Sequence, residues 1–231
     1  GIPWRPHLVP SKGIHLWLKK GSIETKGSVV LTTRDNRVVF VIPQRHSILV
    51  GTTETPVDQD EFNIKATEKD IDYLLNVLGQ YFPNATLTKD SIISTFAGVR
   101  PLVCEGGSDE SLGKVSRFHK IFRPDQFSYV LLGGKYTTFR RMNQELASQI
   151  VPRLGLRYKP NLTMNSLRQI SIMPTFGKQP KLTMEMIKDI IRKEYVTTFE
   201  DLVQRRLSIV EDPHHIKNVM GIPVEEIKKL F

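Results

Sequence analysis

A chain of 231 residues with 39% apolar content can bury a real core, as one large domain or two small ones. Its 33 basic residues against 24 acidic ones give a net charge of +9, which favours an anionic partner such as a phosphorylated metabolite or an acidic membrane face; no block of five like charges occurs, so nucleic acid is not expected. The only cysteine, Cys104, excludes an intrachain disulfide, a zinc ribbon and a Cys-x-x-Cys redox pair and fits a reducing compartment, and no apolar run approaches the ~20 residues that cross a bilayer.

The chain begins at Gly1 with no methionine and no targeting pattern, so it is expected to be a portion of a longer protein or a processed product. From Gly13 to about Thr55 it reads as strands. In "GIHLWLKK" Ile14, Leu16 and Leu18 share one side, while His15 and Trp17 share the other. "RDNR" (34–37) has turn chemistry between Val29, Val30, Leu31 and Val38, Val39, Phe40, which predicts an antiparallel hairpin. At Thr67 the period becomes helical: Thr67 and Asp70 form a capping-box pattern, Ile71, Leu74, Leu75, Leu78 and Phe82 recur on one face, and Pro83 ends the helix. "SIISTFAGVRPLV" (91–103) is a strand, and "CEGGSDESLGK" (104–114) an exposed loop. "FSYVLLGG" (127–134) reads as a strand buried on both faces, followed by a helix from Phe139 to Leu154. Farther on, Met184, Ile187, Ile191 and Tyr195 fall on one helical face, Thr198 with Asp201 can cap the next helix, and Pro223 can open a last short one. The expected class is α+β, an antiparallel-sheet region followed by a small helical domain.

"LLGGKYTTFRRM" (131–142) places a double glycine and a lysine between a strand and a helix. A Walker loop needs glycine five residues before the Gly-Lys pair and Ser or Thr after it, and here those positions hold Tyr129 and Tyr136. Gly113-Lys114 fails equally, with Ser108 and Val115. Gly-x-Gly never occurs, so no dinucleotide fingerprint is present either. A tight turn before a helix N-terminus can still hold an anion through its amides. His214 and His215 lack ligand-spaced companions, so no metal is expected. Asn84-Ala-Thr86 and Asn161-Leu-Thr163 are read as chance glycosylation patterns.

The segment "GGKYTTFRRM" resembles the Gly-Gly-Lys-Leu-Thr-Thr-Tyr-Arg stretch of flavin-dependent glycerol-3-phosphate dehydrogenases. "PSKGIHLWL" (10–18), "RVVFVIPQRHSILVGTTE" (37–54), "DIDYLLNVLGQYFP" (70–83), "STFAGVRPLV" (94–103), "SRFHKI" (116–121) and "TTFEDLVQRR" (197–206) are similar to further segments of that family, in its order. The likeness covers roughly residues 8 to 210, and the family's N-terminal Rossmann half has no counterpart here. It implies FAD as cofactor and glycerol 3-phosphate as substrate, oxidised to dihydroxyacetone phosphate by hydride transfer to the flavin. It also implies a division into residues 1–158, a substrate-binding region plus a flavin-contacting strand-turn-helix, and 159–231, a helical C-terminal domain.

The resemblance assigns Arg100 to the substrate phosphate, which suits a guanidinium fork. His15 becomes the proton acceptor or orienting group. Arg117 supplies a second cation to the substrate, and Lys135 stabilises negative charge on substrate or reduced ring. Gly133, Gly134, Lys135, Thr137 and Thr138 are the implied flavin contacts. Glu54 stands where the family has aspartate, and Tyr136 and Phe139 stand for its Leu and Tyr. The implied electron acceptor is a membrane quinone, reached from the cytoplasm by peripheral contact with the inner membrane face. Oxygen as acceptor, a catalytically silent ligand-binding or assembly role, and a homo-oligomer stay open.

Overall fold

In the computed structural model, the described residues are 8–44, 46–57, 64–103, 118–160, 183–207 and 222–231. Helices are mixed with an antiparallel sheet, in the order β1 (Leu8–Lys19), β2 (Val29–Thr32), β3 (Val38–Pro43), β4 (Ser47–Gly51), β5 (Thr55–Pro56), α1 (Glu68–Tyr81), β6 (Ile92–Val103), β7 (Lys120–Phe122), β8 (Val130–Leu132) and α2 (Phe139–Ile150). Then come α3 (Met184–Lys193), α4 (Phe199–Asp201), which runs into a π-helical turn at Leu202–Arg206, and α5 (Val224–Lys228). The chain divides into two compact units, one of Gly1–Ile14, Thr53–Lys65 and Ala97–Ile170, the other of His15–Thr52, Ala66–Phe96 and Ser171–Phe231. The first is called the Arg100 unit below and the second the His15 unit.

In the His15 unit the expected hairpin forms. β2 pairs antiparallel with β3, β3 with β4, and β4 with the second half of β1. Period-two alternation sends Leu16, Leu18, Leu31, Val39, Val41, Ile48 and Val50 to one face, where all are buried. Val30, Val38 and Phe40 point to the other face and stay exposed. Each fully buried aliphatic side chain contributes about 1.5–3 kcal/mol, which fixes the register, because a one-residue slip would turn this set outward.

Helix α1 adds Leu74, Val77 and Leu78 to the buried set. The Tyr81 hydroxyl donates to the Thr32 carbonyl, and the Arg37 guanidinium lies 6.0 Å over the Tyr73 ring, so α1 rests against the β2–β3 hairpin. The helix starts where the capping box predicts: Asp70 N–H donates to Thr67 Oγ1 (3.3 Å), and Thr67 N–H donates back to Asp70 Oδ2 (3.0 Å).

The C-terminal helices enclose their own core of Ile187, Val196, Leu202, Val203 and Ile227. Thr183 and Thr198 cap α3 and α4 by accepting from Met186 N–H and Asp201 N–H. Tyr195 corrects the helical-face expectation. It is 86% exposed with φ 53°, beyond the end of α3, and the Val196 amide donates to Ile191 O at 3.1 Å. That six-residue closure is a Schellman ending, in which one left-handed residue turns the chain and the next apolar one, Val196, folds back under the helix.

In the Arg100 unit, Ser11 and Lys12 of β1 pair with Pro56 and Thr55, and among the described residues β7 pairs with β8 alone. The expected strand over 127–134 is shorter and less buried than its composition suggested. Asp125 accepts from the Phe127 and Ser128 amides at 2.7 and 2.8 Å, which holds its carboxyl below the ordinary range and keeps those donors out of any ladder. The strand therefore starts at Val130, its residues are half-buried, and Phe127 is 87% exposed. No helix among the described residues is long and apolar enough to cross a membrane. The stretches at 104–114 and around His214 and His215 lie outside the described residues.

Candidate functional site

Arg100 is half-buried on β6. Its guanidinium lies across Gly13 of β1 so closely that a Cβ built on Gly13 would fall 2.5 Å from Cζ and nearer still to both Nη atoms. Only glycine leaves room there. Nη1 donates to the Thr53 carbonyl at 3.3 Å, and Thr53 is itself held because its hydroxyl accepts from Ile14 N–H at 3.1 Å. The fork is thus seated on the backbone of β1 at Gly13 and on Thr53. A guanidinium is a planar fork of donors whose shape suits a phosphate or carboxylate.

His15 belongs to the other unit. Its strand register sets it opposite Gly51, which in turn sits opposite Phe40. A Cβ on Gly51 would fall 2.6 Å from the imidazole Cγ, 2.8 Å from Nε2 and nearer still to Cδ2. The ring also stacks on Phe96 of β6, with centroids 4.8 Å apart and planes 6° from parallel. An imidazole so fixed can pass a proton along a defined direction.

The double-glycine turn joins β8 to α2. Gly133 and Gly134 have φ of 72° and 84°, a left-handed backbone that glycine adopts at little cost. A Cβ on Gly133 would meet the Phe118 carbonyl at 2.8 Å, and one on Gly134 the Met142 Sδ at 2.5 Å. Behind the turn His119 Nε2 pairs with Glu145 Oε2 at 2.9 Å, which ties the start of β7 to α2. Lys135 is exposed, and its N–H donates to Thr138 Oγ1 at 3.2 Å. Thr138 N–H donates to Lys135 O at 2.9 Å in a tight 3-10 turn over Tyr136–Thr138, and α2 starts at Phe139, where the sequence places it.

Of the predicted residues, Gly133, Gly134, Lys135, Thr137 and Thr138 come together in one turn and the short helix after it. Arg100 lies in the same unit on β6, seated against Gly13 and Thr53; Arg117 is outside the described residues. Among the described residues no group of three or more His, Cys, Asp or Glu is placed to hold a metal. A cleft of about 520 Å³ lined by Gly21, Ser22, Tyr81, Phe82, Asn84 and Thr86 includes none of the predicted site residues. Sequence reasoning missed Gly13, Gly51, Phe96 and Glu145. A glycine inside a strand pattern marks a close approach of another group, and that signal was available for Gly13.

The turn also fits a flavin on its own geometry. At 133 and 134 side chains would collide with the protein, so only bare peptide backbone stands beside the exposed Lys135 cation, a donor set suited to an electron-rich ring edge or a phosphate oxygen.

Helices mixed with an antiparallel sheet, an arginine seated on Gly13 and Thr53, and a glycine turn that leads into a helix define an α+β class of protein. The family model of the FAD dependent oxidoreductases matches residues 1–154, and the chain belongs to that family. It is 34% identical over 150 residues to the aerobic glycerol-3-phosphate dehydrogenase of Staphylococcus haemolyticus, a match that covers 64% of this chain and 27% of that protein. The aerobic glycerol-3-phosphate dehydrogenase of Bacillus subtilis is 34% identical over 148 residues, covering 64% and 26%. Among solved structures, the glycerol-3-phosphate dehydrogenase from Bacillus halodurans complexed with FAD matches with a TM-score of 0.56 and 30% identity, over 66% of this chain and 28% of that one. The chain thus spans about a quarter of the length of the curated relatives it matches.

Proposed function

We propose that this chain is the substrate-handling part of a flavoenzyme that oxidises glycerol 3-phosphate to dihydroxyacetone phosphate. The observation that carries the reading is Arg100, seated on Gly13 and Thr53, in a chain whose relatives are named for that substrate. Its fork binds the phosphate, and Arg117 adds a second cation. His15 takes the C2 hydroxyl proton, and Lys135 offsets negative charge that develops nearby. FAD, when bound against Gly133, Gly134, Lys135, Thr137 and Thr138, supplies the hydride acceptor.

In the same reading residues 1–158 combine the sheet with a strand-turn-helix of the FAD domain, and 159–231 are a helical domain. A membrane quinone takes the electrons at the inner, cytoplasmic membrane face, with oxygen as the alternative acceptor and a homo-oligomer as the assembly. The test uses the protein purified at its natural length. Bound flavin that bleaches anaerobically on addition of glycerol 3-phosphate is the expected result, and peroxide release during aerobic turnover identifies oxygen as acceptor. Absence of flavin, or flavin that the substrate leaves oxidised, overturns the proposal.

A second reading, a catalytically silent ligand-binding or assembly module, is favoured by one observation: these 231 residues contain no Gly-x-Gly dinucleotide fingerprint. Stoichiometric flavin and turnover in the isolated 231 residues would eliminate it.

A further inference from the structure

We propose that Gly51 and Phe96 are positioning residues that fix the imidazole of His15 for proton transfer, an inference that rests on the role given to His15 above. A half-buried side chain on a sheet face ordinarily has more than one rotamer open to it. Here two neighbours remove that freedom. On one side the ring lies over the backbone of Gly51, at a distance no Cβ would permit. On the other it stacks on the Phe96 ring at 4.8 Å and 6°. Phe96 also has the Trp17 ring at 6.4 Å, tilted by 41°, so it is itself braced by the residue two positions beyond His15 on β1.

Packing alone does not account for this arrangement. Phe96 is 42% exposed and lies outside the buried set of this sheet, Leu16, Leu18, Leu31, Val39, Val41, Ile48 and Val50, which occupy its opposite face. A ring left that open packs less completely than the core side chains, yet it lies nearly parallel to the imidazole. Gly51 is the cross-strand partner of both Phe40 and His15, so a side chain there would fill the space over which the imidazole extends. Proton transfer is sensitive to displacements well below 1 Å, and a pair of residues that set one rotamer therefore acts on rate more than on affinity.

The experiment compares Phe96→Ala, Phe96→Leu, Phe96→Tyr and Gly51→Ala in the protein at its natural length. Steady-state oxidation of glycerol 3-phosphate with a soluble redox dye as electron acceptor gives kcat and KM, and NMR of ring-labelled histidine reports the upfield shift that a stacked phenyl ring imposes on the His15 Cε1 proton. The expected result is a kcat about tenfold lower in Phe96→Ala and Phe96→Leu at unchanged KM, about a hundredfold lower in Gly51→Ala, and near the unsubstituted protein in Phe96→Tyr. The upfield shift should vanish in Phe96→Leu and persist in Phe96→Tyr. Should Gly51→Ala fail to fold, the Phe96 series decides alone. An unchanged kcat in Phe96→Ala, equal losses in Phe96→Leu and Phe96→Tyr, or an unshifted His15 resonance before substitution would overturn the inference while leaving the functional reading intact. An unsubstituted protein whose flavin is not reduced by the substrate overturns that reading and the role of His15 with it.

Discussion

Replacing Gly13 by alanine separates the binding role of Arg100 from its contribution to the fold. The new Cβ would fall 2.5 Å from Cζ, whereas carbon atoms in contact stay about 3.5–4.0 Å apart, so the guanidinium must retreat by roughly 1 Å or more. The obstacle is the far end of a flexible side chain, and the strand backbone can stay in place. Stability should hardly move. The hydrogen bond to Thr53 O is long at 3.3 Å and half-buried, so its loss costs about 1 kcal/mol, and alanine offsets roughly 0.5–1 kcal/mol of that by restricting the unfolded chain. Affinity for a phosphorylated substrate should fall by about 1–3 kcal/mol, roughly 5- to 150-fold, because the fork no longer aligns with two oxygens. Urea unfolding measures the first effect, and KM for glycerol 3-phosphate the second. Arg100→Lys, which keeps the charge and discards the fork, should weaken binding by a similar ~1–3 kcal/mol, and the double variant should lose little more than either single one. A Gly13→Ala protein with normal KM, or fully additive losses, would refute the reasoning.

Two further predictions concern the fold. Thr67→Ala removes an oxygen that accepts from Asp70 N–H, and should lower stability by about 1 kcal/mol, read as a shift in the urea midpoint at constant m-value; no shift would mean that tertiary packing alone sets the start of α1. The hydrogen bond donated by the Thr33 hydroxyl, aided by Arg37, holds the Asp35 carboxyl below its usual range. A lowered folded value means the contribution is complete above the ordinary aspartate pKa of about 4 and disappears as pH falls through the depressed value. The group is largely exposed, so the effect is no more than a few tenths of a kcal/mol after screening. The stability difference between the unsubstituted protein and Asp35→Asn should therefore narrow on acidification, and a difference that widens contradicts the sign.

Local rules in the sequence settled most elements. The alternation of Ile14, Leu16 and Leu18 predicted a strand with one buried face, and all three are fully buried. Thr67 and Asp70 predicted the first turn of α1, and the turn residues at 34–37 predicted the β2–β3 hairpin. Such features depend on neighbours within a few positions, where side-chain period and backbone hydrogen bonding leave few alternatives. The glycine turn is partly of this kind, since two adjacent glycines before a helix permit a left-handed backbone at little cost, and both adopt it here.

Tertiary structure decided the rest. Tyr195 has the right spacing for the Ile187 face, yet the chain reverses there and Val196 takes the buried place, because the closing hydrogen bond to Ile191 outweighs the helical period. The composition of 127–134 suggests a fully buried strand, but burial depends on what packs against it, and among the described residues β8 pairs only with β7. Most of all, the partners of Arg100 and His15 come from positions 87 and 81 residues away, Gly13 and Phe96 respectively, as their numbers in the chain show. Residue type declared which side chains could bind an anion or move a proton. Which backbone each one rests on, and in what orientation, follows from strand pairing across the chain, a property no local pattern encodes.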